Sequence, residues 1–234
     1  MIANLKQVKA ISFDLDDTLW DCASAIRGAE RSCYEWLVKY APRVTESVDA
    51  DALLRRRRQV LEHQPELVGD VTRLRKTMLE QTLAEFDYGS EVAAAAFNAF
   101  YLARSQVQLY EGCIDLLEGL SPQYLVAAIT NGNADLSLVG IDHHFQSVHM
   151  ADLDNPAKPH RHMFDQCLER FNLPASALLH IGDNPEADVA GAQAIGAQAV
   201  WFNSQKIPWP EALPSAEFEV ESLGELHELL LSTA

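Results

Sequence analysis

The sequence has few cysteines, no long apolar run and a shortage of basic residues. Its four cysteines form neither a C-x-x-C pair nor a cluster with histidine, which argues against the common zinc motifs and a disulfide framework. It contains no run of about eighteen consecutive apolar residues, so we expect no membrane-spanning helix. Residues 1–6 lack the charged and apolar segments of a secretory signal. We therefore expect a reduced, cytoplasmic protein that does not bind or span a membrane.

The charge balance is strongly acidic, with 18 Lys and Arg against 34 Asp and Glu and a net charge of −16. Residues 21–107 carry 12 basic and 13 acidic side chains, whereas the rest of the chain carries 6 and 21. A polyanion would be repelled by this field, so a nucleic acid polymer is not an expected partner. The sequence shows no internal repeat and no pattern that specifies an oligomeric state.

Short strand-like segments alternate with helical patterns in two parts of the chain. The predicted strands are residues 9–15, 125–129, 147–150, 178–181 and 199–202. Helical patterns lie between them, among them residues 161–171 and 188–195. This alternation predicts a parallel sheet covered by helices on both faces, that is, an α/β fold with a doubly wound, Rossmann-like core.

Residues 21–107 form a helical block without a predicted strand. Pro42, Pro65 and Gly89 divide the block into about four helices, because proline removes a backbone donor and glycine favours a helix end. We predict that this block is a separate helical domain inserted after the first strand. The core would then consist of residues 1–20 and 108–234.

Polar residues follow four of the predicted strands, at the edge where open parallel sheets bind their ligands. Asp14 and Asp16 follow the first strand. Two carboxylates this close need a counter-cation, and Mg²⁺, which prefers oxygen ligands, would supply it. A raised proton affinity on one of them would suit general acid catalysis. For this segment alone, an acidic solvated turn is the alternative.

Two further segments offer groups that suit phosphate. Thr130 and Asn131 carry a hydroxyl and an amide, and the backbone N–H groups beside Gly132 could hold phosphate oxygens. An ordinary Asn-Gly turn before a helix is the alternative. Lys158 could place its ammonium group against the carboxylates and a phosphate, although a lysine beside proline is more commonly a surface residue.

The fourth segment is Gly182–Asp188. Asp183 lies at the end of a predicted strand and Asp188 near the start of the next helix, so both could reach one metal ion. Helix capping is the alternative for Asp188, because a carboxylate at a helix start also complements the helix dipole.

Together the four segments resemble the haloacid dehalogenase-like hydrolase superfamily, most of whose members are phosphatases. Asp14–Leu19 matches the family's opening D-x-D-x-T-L motif, Thr130 its second motif, Lys158 its third and Gly182–Asp188 its fourth. The helical block resembles the family's small cap domain. The segments are most similar to those of bacterial flavin mononucleotide and nucleotide phosphatases.

The resemblance implies a role for each residue. Asp14 would be the nucleophile that carries the phosphoryl group as an acyl phosphate, and Asp16 would act as general acid and then as general base. The carboxylates of Asp14 and Asp183, with the backbone carbonyl of Asp16, would bind Mg²⁺. Asp188 would not contact the ion directly but would support the residues that bind it.

The phosphate would be held by the remaining residues. Thr130 and the backbone of Asn131 would bind its oxygens, and Lys158 would both bind the substrate and stabilise charge during catalysis. The implied function is that of a Mg²⁺-dependent phosphomonoesterase acting on a small soluble metabolite, such as flavin mononucleotide, a nucleotide or a sugar phosphate.

Several alternatives share these motifs. A phosphomutase would carry all four. A dehalogenase of the family would lack a carboxylate at the position of Asp16, because a departing halide needs no proton, so Asp16 favours phosphoryl chemistry. A phosphonate-cleaving member would need a cap lysine, for which Lys39 and Lys76 are the candidates. A non-catalytic binding protein with the same fold is an alternative of another class.

Two further features, one within residues 21–107 and one just before them, do not belong to the four motifs. Arg55–Arg58 are four successive helical residues that point around the helix, so they cannot all face one ligand, and a solvated or ion-paired helix is expected. Trp20, beside the first motif, is the best aromatic candidate for a substrate contact, with core packing as its alternative.

Overall fold

The computed structural model describes residues 7–231 and places six parallel strands in one sheet. Residues 1–6, which the first core segment was expected to include, and residues 232–234 lie outside the described residues. The strands are β1 (Ala10–Phe13), β2 (Leu125–Thr130), β3 (Ser147–Met150), β4 (Leu178–Gly182), β5 (Gln198–Phe202) and β6 (Phe218–Val220). Their order is β3-β2-β1-β4-β5-β6, so β1 lies at the centre between β2 and β4.

Ten α-helices accompany these strands in the described part of the chain. They are α1 (Cys22–Tyr40), α2 (Pro42–Thr45), α3 (Ala50–His63), α4 (Val71–Ala84), α5 (Ser90–Arg104), α6 (Cys113–Leu120), α7 (Leu136–Val139), α8 (His162–Phe171), α9 (Gly191–Ala194) and α10 (Leu223–Leu231). Short 3₁₀ turns occur at Pro65–Gly69, Asp142–His144 and Ala175–Ala177, and a π-helix at Pro185–Ala190.

The sheet is covered on both faces, as its apolar strands require. Alternate residues of a strand point to opposite faces: Ile11 and Phe13 of β1 join an apolar cluster that includes residues of α6 and α10. Ala10 joins a second cluster that includes Phe164 of α8. Every residue of β1 is buried. The predicted α/β fold with a doubly wound parallel sheet is confirmed.

The helices between residues 21 and 107 have an apolar cluster of their own. Its buried members run from Ala29 to Phe100, and the described part of this segment contains no strand. The side chains of Asp21, Asp49 and Asp70 cap the first turns of α1, α3 and α4 by accepting backbone N–H bonds. We call α1–α5 the helical cap; its boundaries at 20/21 and 107/108 stay predictions.

Some elements differ from the sequence expectation. The helix expected at residues 188–195 begins earlier, at Pro185, because Asn184 caps it by accepting from two backbone N–H groups, and its first part is π-helical. β6 and α10 were not predicted. β6 has only three residues, too few for a clear alternation. Among the described residues, no helix is long and apolar enough to cross a bilayer.

Candidate active site

The candidate site residues meet at the carboxyl ends of the three central strands. Asp14 directly follows β1, Thr130 ends β2 and Asp183 directly follows β4. The backbone N–H of Asp14 donates to the Ile181 carbonyl at 2.8 Å, which extends the pairing of β1 and β4 to this point. The parallel register of the sheet therefore brings residues far apart in sequence to one edge.

Lys158, from the segment between β3 and α8, fills the centre of this edge. Its buried ammonium donates to Asp14 at 2.8 Å, to Asp188 at 2.6 Å and to the Ile129 carbonyl at 2.5 Å. These contacts use all three of its N–H bonds. Burial lowers the pKa of Lys158, but the two carboxylates outweigh it and raise the pKa overall, so the lysine stays charged.

Asn131 fixes the backbone of Lys158. Its side-chain oxygen accepts from the Lys158 N–H at 2.8 Å, and its side-chain nitrogen donates to the Lys158 carbonyl at 3.0 Å. The sequence predicted that the amide or the backbone of Asn131 would meet a phosphate, and the role of its side chain in holding Lys158 was missed. Thr130 is buried, and its hydroxyl accepts from the Gly132 N–H at 3.0 Å.

Three carboxylates form an acidic cluster beside Lys158. Asp14, Asp183 and Asp188 each offer one oxygen, and these oxygens lie within 4.8 Å of one another. Burial, reinforced by the nearby Asp188, raises the pKa of Asp14 to about 7 even though Lys158 opposes the shift. Burial and the other two carboxylates raise the pKa of Asp183 to about 8. One ammonium does not neutralise three clustered carboxylates, two of them buried and that of Asp183 half-buried, and this set of hard oxygen donors fits a Mg²⁺ ion.

Asp188 is held by protein donors on both oxygens. One oxygen accepts from Lys158 and from His180 Nε2 at 3.1 Å, and the other accepts from the Asn184 N–H at 2.9 Å. Burial alone would raise the pKa of Asp188, but Lys158 and the His180 hydrogen bond hold it below the usual range. The side chain is therefore fixed as a carboxylate.

Asp16 points away from the acidic cluster and towards the cap. Both of its oxygens accept from Arg104 Nη2 at 2.6 Å, and one also accepts from Trp20 Nε1 at 2.8 Å. Arg104 is the last residue of α5, its side chain is only 1% exposed, and its Nε and Nη1 groups have no hydrogen-bond partner within residues 7–231. The sequence did not predict a role for Arg104, because no local pattern indicates that the end of this helix contacts a residue 88 positions earlier in the chain.

Trp20 is fully buried and packs in the apolar core. Its only side-chain hydrogen bond among the described residues is the one to Asp16. The structure therefore places Trp20 in core packing and in positioning Asp16, and not at a surface that a substrate contacts.

A cavity of about 420 Å³ separates the strand ends from the cap. Asp14, Asp16 and Thr130 line its core side. The cap side combines apolar residues with arginines: Ile26, Leu61, Val71, Leu74, Phe100, Arg57, Arg58, Arg75 and Arg104. A volume of this size is typical of small-molecule sites.

The four successive arginines of α3 divide into two pairs. Arg55 lies 3.6 Å from Asp49 and Arg56 lies 2.6 Å from Glu85, both outside the cavity. Arg57 and Arg58 line the cavity. The expectation of a solvated, ion-paired helix fits the first pair but misses the position of the second.

Residues 8–196 match the haloacid dehalogenase-like hydrolase family. The chain belongs to this family. The predicted family and enzyme class, a haloacid dehalogenase-like hydrolase, are therefore confirmed. The match extends through all four motif segments and leaves the individual residue roles as predictions.

Known members of the family include relatives with different activities. The chain is 34% identical over 205 residues, 86% of each protein, to the 5-amino-6-(5-phospho-D-ribitylamino)uracil phosphatase YigB of Escherichia coli. It is 25% identical to the glyceraldehyde 3-phosphate phosphatase of Pyrococcus furiosus, covering 97% of this chain and 94% of that one. It is also similar to a crystal structure of the 2-haloacid dehalogenase from Pseudomonas syringae, with a TM-score of 0.87, 36% identity, and coverage of 97% and 100%.

Proposed function

We propose that this hydrolase removes the phosphoryl group from a small phosphomonoester through an aspartyl phosphate on Asp14, with Mg²⁺ as its cofactor. The observation that carries the proposal is that two carboxylates with different surroundings, Asp14 and Asp16, line one cavity. Asp14 lies against Lys158 at the strand ends, whereas Asp16 faces the cap. Different surroundings for two carboxylates suit different chemical roles.

Asp14 is the proposed nucleophile. Its carboxylate attacks phosphorus, and the bond from phosphorus to the ester oxygen breaks as the acyl phosphate forms. Lys158, already 2.8 Å from Asp14, stabilises negative charge on the attacking carboxylate and on the transferred group. Thr130 and the backbone of Asn131 hold phosphate oxygens at the end of β2.

Asp16 is the proposed acid and base. It gives a proton to the departing ester oxygen, and then takes a proton from the water that attacks the acyl phosphate, which releases inorganic phosphate and the free Asp14 carboxylate. In the structure both Asp16 oxygens accept from Arg104. Proton donation therefore requires Arg104 to move, and a shift of the end of α5 would provide that movement.

The acidic cluster is the proposed Mg²⁺ site. Asp14 and Asp183 would hold the ion, with the Asp16 backbone carbonyl as a further ligand. Asp188 would hold Lys158 and the backbone of Asn184 in place. When bound, Mg²⁺ supplies positive charge to the clustered carboxylates and to the phosphate. The raised pKa values of Asp14 and Asp183 support this assignment.

The names of two relatives support a phosphomonoester as substrate, because both are phosphatases of small phosphorylated metabolites. The cavity volume agrees with a small molecule and leaves no room for a folded protein. The likeness to a 2-haloacid dehalogenase favours a second candidate, carbon–halogen hydrolysis by the same Asp14 nucleophile. Asp16 argues against this candidate, since a departing halide needs no proton.

One experiment separates these two candidates. The purified protein is assayed with p-nitrophenyl phosphate, flavin mononucleotide, a nucleoside monophosphate and a sugar phosphate, and in parallel with both enantiomers of 2-chloropropionate, each with and without Mg²⁺. We expect Mg²⁺-dependent phosphate release and no chloride release. Chloride release without phosphate release would establish the dehalogenase and contradict the proposal. A requirement for a bisphosphate activator would instead indicate a phosphomutase.

A further inference from the structure

We infer that the preferred substrate carries a second anionic group, remote from its phosphoryl group, and that Arg57 and Arg58 of the cap bind it. The inference rests on the proposed phosphomonoesterase function and adds a substrate class to it. The expected ligand is a phosphomonoester with an apolar or aromatic body and a carboxylate or second phosphate at its far end.

The cap side of the cavity carries an excess of positive charge. Arg75 binds Glu30 through two hydrogen bonds of 2.7 and 3.1 Å, and Arg57 lies 3.5 Å from the same carboxylate. Arg58 lines the cavity but makes no ion pair or hydrogen bond within residues 7–231. Two guanidinium groups, Arg57 and Arg75, thus share the Glu30 carboxylate, and Arg58 has no carboxylate partner among the described residues, which leaves two positive charges beside the cavity.

This excess of positive charge contrasts with the acidity of the whole chain and with the paired arginines elsewhere in α3. The whole chain has a net charge of −16, and the other arginines of the α3 run, Arg55 and Arg56, each have a carboxylate partner outside the cavity. Burial and the neighbouring Arg75 lower the pKa of Arg57, as expected for a crowded cationic site that lacks a full complement of anions. An anionic ligand would supply the missing charge, and guanidinium groups bind carboxylate and phosphate oxygens with well-matched geometry.

The reacting phosphoryl group is not the anion that these arginines need. It is bound at the strand ends, where Lys158 contacts Asp14. Arg57 and Arg58 belong to α3 in the cap, and apolar side chains of Ile26, Leu61, Val71, Leu74 and Phe100 share the cavity lining with them. A ligand that contacts both ends therefore has a charged group at each end and an apolar body between them.

The test compares substrates that share a phenyl phosphate body and differ in the group at the far end. Para-carboxyphenyl phosphate carries the second anion, para-carbamoylphenyl phosphate is its neutral isostere, and para-(phosphonomethyl)phenyl phosphate replaces the carboxylate by a non-hydrolysable phosphorus anion. Phosphate release gives kcat/KM for each. We expect the wild type to prefer at least one anionic substrate over the neutral one by about tenfold, the value of one charge-assisted hydrogen bond. Comparison of the carboxylate and phosphonate arms identifies the favoured anion.

Substitutions within one helix provide the matched control. Arg57→Gln and Arg58→Gln should each reduce the ratio of anionic to neutral kcat/KM, and the double variant should bring it close to one. Arg55→Gln removes the same charge from the same helix outside the cavity and should leave the ratio unchanged. Circular dichroism and thermal unfolding verify that each variant is folded; Arg58 is exposed and unpaired in the described structure, so its replacement disturbs the least packing.

Binding to the Asp14→Asn variant separates the two proposals. Calorimetry with this variant measures the same anionic preference without turnover. Absence of turnover in the wild type, with a preference in binding that depends on Arg57 and Arg58, would overturn the phosphatase proposal and retain the anion site. Equal values for the anionic and neutral compounds in both turnover and binding would overturn the anion site. A preference that survives in the double variant would also overturn it.

Discussion

Lys158 and Asp188 show how single residues set the chemistry of this site. Lys158 connects Asp14, the proposed nucleophile, to a carboxylate that is itself fixed by a histidine and a backbone N–H. This network holds one oxygen of Asp14 against Lys158, and Lys158, Asp188 and His180 are all buried. Removing one member should therefore affect catalysis through position as well as through charge.

Replacing Asp14 by Asn should abolish turnover and leave the fold intact. The amide has almost the same shape as the carboxylate but cannot form the acyl phosphate, so we expect kcat/KM to fall by at least about a thousandfold. Phosphate release by the purified variant, with circular dichroism for its fold, measures this. Asp17→Asn is the control, since Asp17 lies nearby and accepts from the Cys22 N–H, a bond that asparagine preserves. Activity in Asp14→Asn near the wild-type level would exclude covalent catalysis by Asp14.

Replacing Gly182 by Ala should disable the site through Asp188. A methyl group there would overlap the buried carboxyl group of Asp188, which would have to leave its contacts with Lys158 and His180. Because small misplacements of catalytic groups are costly, we expect a loss in kcat/KM of about a hundredfold. Gly28→Ala in α1 is the matched control, since nothing lies within 4 Å of a side chain at that position. Full activity of Gly182→Ala would mean that the position of Asp188 does not matter.

At the scale of elements, the cap helices are joined by ion pairs of unequal burial. The pair between Glu30 of α1 and Arg75 of α4 is largely buried, with side-chain exposures of 23% and 4%. The Arg75 guanidinium also stacks 3.6 Å from the centre of the Phe100 ring of α5. This cluster links three cap helices through one guanidinium group. By contrast, the pair of Arg56 and Glu85 between α3 and the end of α4 is more exposed.

Glu30→Ala should therefore destabilise the protein much more than Glu85→Ala. Loss of Glu30 leaves Arg75 buried without its carboxylate, which costs about 3 kcal/mol. Loss of Glu85 removes an exposed pair, worth less than about 1 kcal/mol. Urea denaturation of both variants gives the two changes in unfolding free energy. A similar cost for the two variants would show that Arg75 finds another partner or reaches water.

The sequence predicted the elements whose signals are local and missed the contacts that cross between elements. The apolar strands, the proline and glycine breaks and the polar residues after strands all have local patterns, and the sheet positions Asp14, Thr130, Lys158 and Asp183 accordingly. Arg104 reaches Asp16 because α5, packed against α1 and α4, ends beside the strand ends of the core. The division of Arg55–Arg58 between two sides of α3 likewise depends on which helices neighbour α3. Neither the Arg104–Asp16 contact nor the division of the four arginines can be predicted from the spacing of residues in the sequence.

At the scale of the whole molecule, the acidic cluster would couple the proposed Mg²⁺ binding to pH. In the metal-free protein the pKa values of Asp14 and Asp183 are raised to about 7 and about 8. A raised carboxyl pKa means that the folded state binds more protons than the unfolded state, so this contribution to stability is lost as the pH rises through these values. A cation that occupies the cluster would offset the loss, and it must displace those protons at lower pH.

The increase in Tm produced by Mg²⁺ should accordingly be larger at pH 8 than at pH 6. The apparent affinity should change by up to about tenfold per pH unit for each displaced proton. Differential scanning fluorimetry at both pH values, with and without millimolar Mg²⁺, measures the increase. Asp183→Asn should show little increase at either pH. An equal increase at both pH values in the wild type would contradict the assignment of Asp14 and Asp183 to the metal.

The central position of β1 has a consequence for how the chain folds during synthesis. β1 pairs with β2, which begins at Leu125, and with β4, which begins at Leu178, so its neighbours are made long after it. The buried cluster of the cap, from Ala29 to Phe100, is complete before either neighbour exists. Helical contacts are local and form quickly, whereas distant strand pairing is slow. We therefore expect the cap to fold first on the nascent chain. The apolar strand β1 would stay unpaired and prone to aggregation until β2 and β4 emerge.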